Sequence, residues 1–338
     1  MGVYEPFPAI TMTPEPATKQ GQLVSTIRPL ISNFLETIDY DPPSKPDKAA
    51  LRAAMTEYAA PSGVPYNQDK HSRQCFETGL SVAILTRYFL FFSNQDMYPS
   101  HPLEVQLHIG IFTWLGFLID DTNKRIASDL AHFQARFYTG QPQPSLLLDH
   151  FAQTLRNTYR YYDPVVANTI VLSALAFVNS NALETRREFQ ELVPSQAAAS
   201  WPYYFRDKEG LPDTYSGFIF PKALYPDIGS FLQATPDMGR FINLTNDILS
   251  FYKEEVAGET KNYVNSKAKS ENKTAMAAMR EIVADTAQRY LSVTSILATK
   301  ELYARAWHEY VMGYVAMHLR NDRYMFADIG LDERFVHN

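Results

Sequence analysis

Cysteine is nearly absent: the 338 residues hold one, Cys75, which excludes a disulfide framework and a cysteine-based zinc site and suits a reducing compartment. A basic surplus is missing too. With 31 Lys and Arg against 37 Asp and Glu, a net charge of −6 and a pI near 5.8, the chain argues against nucleic acid as a partner, because such binding needs an electropositive surface. An anion would have to be held by metal ions or by local cations. Uninterrupted apolar stretches such as Ile111 to Ile119 fall short of the roughly 20 residues that span a bilayer. No basic and apolar leader opens the sequence, and neither end carries a lipidation motif. The expectation is a cytosolic protein with no membrane partner.

Proline is unevenly missing. Ten of the 21 prolines fall in the first 65 residues and none follows Pro236. Because proline removes a backbone donor, residues 1–65 are expected to be mostly extended, with a short helix around Leu30 to Ile38, packed on the rest of the chain. Alternating strand patterns and internal repeats are also lacking. What is present is helical spacing of apolar residues over Lys48–Tyr58, Gln74–Phe92, Glu104–Ile119, Ser145–Tyr161, Val165–Leu183, Met238–Glu255, Lys273–Thr294 and Glu301–Tyr324. With 46% hydrophobic and 20% charged residues the chain is an ordinary globular one. The reading is an all-α bundle, one domain over 66–338, with Pro142, Pro144, Pro202, Pro212, Pro221 and Pro226 in its connections.

Four segments carry chemistry. After the uncharged helix from Val105 to Ile119 come Asp120 and Asp121, a pair that the macrodipole disfavours at a helix C-terminus and that Mg²⁺ would compensate; alone, the pair also reads as an exposed turn. Asn246, Ser250 and Glu254, spaced i, i+4, i+8, stack three oxygen donors on one helix stripe beside Lys253, a mixed chelate for a hard cation. Arg323 and Tyr324 near the C-terminus could give a guanidinium fork and a phenol to a phosphate. The run Tyr204 to Gly210, taken by itself, reads as a solvated loop.

Together these segments resemble the class I terpene cyclases, in particular the fungal sesquiterpene cyclases similar to trichodiene synthase. The strings Asn246-x-x-x-Ser250-x-x-x-Glu254 and Gly313-Tyr314-Val315…His318-Leu319…Arg323-Tyr324 carry the likeness, which covers roughly residues 100 to 330. The resemblance implies a helical bundle around a central apolar cavity and Mg²⁺, in a three-ion cluster, held by Asp120 and by Asn246, Ser250 and Glu254. It implies Arg206 as the diphosphate-sensing arginine, Glu209 and Gly210 as the linker and effector after it, and Lys253, Arg323 and Tyr324 as further diphosphate donors. The implied reaction is cyclisation of farnesyl diphosphate to a sesquiterpene hydrocarbon or alcohol, with pyrophosphate released; a homodimer is common in the group. Lys124 stands where the family's first motif commonly has a further acid, which leaves the role of Asp121 open. Phe117, with Thr113 and Gly116 near it, is expected to line the cavity, and Tyr88, Phe91, Trp114 and Met317 are further candidates. A chain-elongating prenyl transferase and a non-catalytic relative that keeps the cavity are the alternatives.

Overall fold

Side chains that take up free backbone N–H groups set many of the helix starts. Asp69 accepts from the Ser72 amide, Ser145 from Leu148 and Thr274 from Ala277, each cap worth about 1 kcal/mol. Proline does the same work passively, because its missing N–H is an orphan in the first turn anyway. Pro164, Pro202, Pro212 and Pro236 all stand there, so Pro202 and Pro212, expected in connections, instead begin helices.

The computed structural model describes residues 19–85, 101–193 and 195–331; Tyr88, Phe91 and the proline-rich residues 1–18 lie outside them. Among the described residues there is no strand, in keeping with the all-α expectation. The helices run α1 (Lys19–Thr37), α2 (Ala49–Ala59), α3 (Lys70–Ala83), α4 (Leu103–Thr122), α5 (Ala127–Tyr138), α6 (Leu146–Tyr161) and α7 (Pro164–Glu184). They continue with α8 (Arg187–Gln190), α9 (Trp201–Glu209), α10 (Pro212–Phe218), α11 (Thr235–Ala257), α12 (Tyr263–Ser270), α13 (Ala275–Leu297) and α14 (Glu301–Leu319).

The beginning of the chain departs from the expectation of extended backbone. Helix α1 is 19 residues long and carries Pro29 in its interior. An internal proline costs about 3 kcal/mol, but Ile27, Ile31, Phe34 and Ile38 are fully buried where α1 packs on α11 and α13. Burying four large side chains at about 1.5–3 kcal/mol each outweighs that cost.

Helices α4, α7, α11 and α14 supply much of the inner wall. The first two are long and apolar enough in composition to cross a membrane, yet most of each apolar window is buried inside the bundle, as in the core helices of a soluble fold. The contiguous-run reading missed them because single polar residues interrupt the runs. Aromatic rings fill the middle: Phe112 meets Phe218 edge-on at 5.1 Å and Phe151 at 5.2 Å, and Trp307, Tyr310 and Tyr314 stack in succession along α14.

Candidate active site

One end of the bundle opens into a cavity of about 450 Å³, within the range of small-molecule sites. Its lining combines apolar side chains, among them Phe117, Phe177, Leu211, Tyr314 and Met317, with charged and polar ones. Asp120, Arg206, Asn246, Ser250, Lys253, Glu254, Arg323 and Tyr324 all line it, as do Phe117, Gly116, Glu209 and Gly210. These residues come from α4, α9, α11 and the 3₁₀ turn Asp322–Tyr324 after α14.

Asp120 and Asp121 occupy the last turn of α4. Asp120 is open to the cavity, yet protein surrounds it closely enough that desolvation, followed by the like charge of Asp121, pushes its carboxyl up to about 6. Glu184, the last residue of α7, also lines the cavity and is pushed up to about 7 by burial and by Asp120. Asn123 Nδ2 donates to both Asn181 Oδ1 and Glu184 Oε2 at 3.2 Å, tying the two helix ends together. Lys124 is exposed on the turn that follows and does not line the cavity, although its charge favours the ionised form of Glu184.

The run Tyr204–Gly210 is helical, not a solvated loop. It forms most of α9, and Arg206 there is only 7% exposed. Its Nε donates to both carboxylate oxygens of Asp247, at 2.8 and 3.0 Å, and its Nη2 donates to Asn243 O and Asn246 Oδ1. Burial works against the guanidinium charge, but Asp247 and Glu209 outweigh it and hold Arg206 charged; burial in turn raises Asp247 to about 6. A Cβ on Gly210 would collide with the Asn243 carboxamide and the Arg206 guanidinium, so only glycine fits there. Leu211 then turns the chain in the left-handed region, φ +56°, a strained position for a side-chain-bearing residue.

On α11, Asn246 and Ser250 face the cavity with Lys253 and Glu254, which pair at 3.4 Å. The Asn246 carboxamide has a defined orientation. His318 Nδ1 lies 2.8 Å from Tyr314 O, a group that can only accept, so Nδ1 carries the proton and Nε2 accepts from Asn246 Nδ2 at 3.2 Å. Asn246 Oδ1 is thereby left to the Arg206 side of the cavity. Ser250 Oγ is buried and has no hydrogen-bond partner. An orphaned hydroxyl in a row with a carboxamide and a carboxylate, beside carboxyls that burial raises, fits a hard divalent cation held by oxygen. Arg323 lies 6.0 Å over the Phe117 ring, and Tyr324 packs on His318 at 4.5 Å.

The other candidates for the cavity wall divide. Met317 lines it. Thr113 sits behind the wall, accepting from the Tyr215 hydroxyl at 3.3 Å. Trp114 is in the core, edge-on to Phe76 and donating to Pro65 O.

Sequence reading missed Glu184, Asn243 and Asp247. Glu184 ends an uncharged stretch from Pro164 to Leu183, the same signal that singled out Asp120. Asn243 and Asp247 form a second i, i+4 stripe on α11, shifted from the first and turned toward α9.

Residues 91–334 match the family model described as trichodiene synthase (TRI5). The chain is 40% identical over 310 residues to the terpene synthase BipA of Cochliobolus sativus, covering 89% of this chain and 91% of that one. It is 34% identical over 324 residues to the longiborneol synthase CLM1 of Gibberella zeae, covering 94% and 92%. Among solved structures, the linalool/nerolidol synthase of Streptomyces clavuligerus in complex with 2-fluorogeranyl diphosphate shares the fold at a TM-score of 0.60 and 13% identity, covering 85% of this chain and 99% of that one. The chain therefore belongs to the trichodiene synthase family and is an enzyme, a terpene synthase of the sesquiterpene-forming class.

Proposed function

We propose that the enzyme ionises farnesyl diphosphate in a Mg²⁺-dependent reaction and cyclises the resulting cation to a sesquiterpene hydrocarbon or alcohol, releasing pyrophosphate. The observation that carries this reading is the meeting of Asp120, Asn246, Ser250 and Glu254 with Arg206, Lys253, Arg323 and Tyr324 around one cavity that Phe117, Phe177, Leu211 and Met317 also line. Asp120 on one side and the Asn246, Ser250 and Glu254 row on the other are the residues that would hold Mg²⁺, for which the family resemblance implies three ions. The metal, when bound, supplies Lewis-acid stabilisation of the departing diphosphate and most of the positive charge in an acidic protein.

The chain's own residues do the rest. Arg206, Lys253, Arg323 and Tyr324 donate to the diphosphate oxygens as charge develops on them, an electrostatic contribution set up before the reaction. Arg206 begins paired with Asp247, so a diphosphate competes with that carboxylate for the guanidinium, and Gly210 leaves room for the exchange. The walls formed by Phe117, Phe177, Leu211 and Met317 keep water from the allylic cation and fold its tail toward the reacting carbon. The Phe117, Phe177 and Tyr314 faces can each stabilise passing positive charge by about 0.5–2 kcal/mol. The single free thiol suits a cytosolic location, and size-exclusion chromatography measures the homodimer that the family resemblance implies.

Incubation of the purified enzyme with C10, C15 and C20 diphosphates and Mg²⁺, followed by gas chromatography and pyrophosphate assay, tests the proposal. A cyclic C15 product with stoichiometric pyrophosphate supports it; longer prenyl diphosphates would show a chain-elongating transferase instead. Glu254→Gln is expected to lower turnover by about 10²-fold or more with the helical circular dichroism unchanged. Near-normal turnover would remove the metal assignment.

A further inference from the structure

Asp121, which also lines the cavity, meets a second set of ligands presented by α3. Cys75 follows His71 by one helical turn, which places both on one face of α3, and that face meets the last turn of α4. His71 Nε2 and Cys75 Sγ stand 3.8 Å apart, Cys75 Sγ and Asp121 Oδ2 3.5 Å, and His71 Nε2 and Asp121 Oδ2 3.7 Å. A tetrahedral ion bonded at about 2.3 Å to sulfur and about 2.0–2.1 Å to nitrogen and oxygen spaces those atoms about 3.3–3.6 Å apart. The triangle on the protein already matches that spacing to within about 0.4 Å, so little movement would close it.

We propose that His71, Cys75 and Asp121 form a binding site for a borderline divalent ion of the Zn²⁺ or Co²⁺ kind, chemically distinct from the oxygen donors inside the cavity. Ligand softness separates the two: a thiolate, an imidazole and a carboxylate select zinc-like ions, whereas oxygen-only sets select Mg²⁺. One cysteine excludes a site made of thiolates, but not one in which it is joined by His and Asp. The thiol's contact with Asp121 Oδ2 is by itself an ordinary hydrogen bond; it does not account for His71 Nε2 standing within 4 Å of both other ligand atoms. The site opens to solvent on the His71 side, where that side chain is 47% exposed, and Cys75 is buried behind it. As the Cys75 sulfur takes up the ion its proton leaves to solvent, one proton per ion bound. Three protein ligands leave the fourth tetrahedral position to water, the arrangement of an exchangeable rather than a closed structural site. A bound ion would clasp α3 to the Asp-bearing end of α4. That this makes the site a control point on the ionisation of substrate, Asp121 being next to Asp120, rests on the proposed function; the binding itself does not.

The test is an optical titration of the purified, chelator-treated enzyme with Co²⁺. Because Cys75 is the only cysteine, any thiolate-to-cobalt charge-transfer band in the near ultraviolet reports this site alone. The expected result is a band that saturates at one equivalent, bleaches on addition of Zn²⁺ and survives excess Mg²⁺. It should be lost in Cys75→Ser, require at least tenfold more Co²⁺ in the surface variant His71→Gln, and persist in Glu254→Gln. No band in the unmodified enzyme, unchanged Co²⁺ affinity in His71→Gln, or bleaching by Mg²⁺ would each overturn the proposal. A band that persists while the C15 assay fails would leave this site standing and remove only the function proposed above.

Discussion

Ser250 and Asp247 lie on neighbouring stripes of one helix, and the energetics of their loss should be opposite. Ser250 Oγ is buried without a hydrogen-bond partner, so Ser250→Ala breaks no hydrogen bond and removes an unsatisfied group. Urea unfolding is expected to change by less than about 0.5 kcal/mol, while the Mg²⁺ concentration for half-maximal turnover rises by about 10–100-fold, as for the loss of a metal-site partner. Asp247→Ala strips Arg206 of its carboxylate where both side chains are under 10% exposed. Removing one partner of a buried ion pair costs up to about 3–5 kcal/mol, here reduced by Glu209, which stays 3.7 Å from Arg206 Nη1, and the same urea measurement should show the loss even without Mg²⁺. The asymmetry follows from desolvation: a hydroxyl tolerates an apolar surrounding far better than a guanidinium does.

Among the elements, α3 and α4 cross most intimately, and Gly79 is what permits it. A Cβ there would stand 2.6 Å from Gly110 O and 2.9 Å from the Trp114 backbone nitrogen, atoms of a rigid helix that cannot turn aside. Gly79→Ala, although favourable for helix propensity, is expected to cost about 1–3 kcal/mol through overpacking, seen as a lowered Tm. Since the same crossing sets Cys75 and His71 against Asp121, the variant should also weaken the cobalt band. The end of α4 was legible in the sequence, where an uncharged run is closed by a sudden acid; the same pattern at Glu184, which ends α7, went unread. By contrast only the second half of α1, from Leu30, was expected as helix, and the turns from Lys19 to Pro29 were not, because residue propensity is local while the burial of Ile27, Ile31, Phe34 and Ile38 that overrides it is not.

For the whole molecule, pH stability draws on groups of opposite sign. Asp120, Glu184 and Asp247 have raised carboxyls and favour the folded state at lower pH, whereas buried histidines disfavour it. His108, enclosed by Tyr161 and Phe218 on α4, is pushed by burial from 6.5 down to about 3. The unfolded chain therefore takes up a proton below about 6.5 that the folded chain refuses until about 3, and the contribution present at neutral pH is lost as pH falls through that window. Comparing the enzyme with His108→Gln isolates this group from the carboxylates. The stability advantage of the unmodified enzyme over the variant should shrink by about 2 kcal/mol between pH 7 and pH 5, at 1.36 kcal/mol per pH unit, as read by denaturant unfolding at both values.

The sequence by itself determined the all-α class, the acids that close α4 and the oxygen stripe of Asn246, Ser250 and Glu254, since each is written within a single helix. Periodicity says that a helix has a face; it does not say which other face covers it. Only the tertiary structure decided that Arg206, isolated in a charged run, is buried against Asp247 some 41 residues away, that His318 orients the Asn246 carboxamide, and that His71 and Cys75 converge on Asp121. Those pairings depend on how helices distant in the chain pack across a shared cavity, a choice made by shape and desolvation over the entire bundle and by no local run of residues.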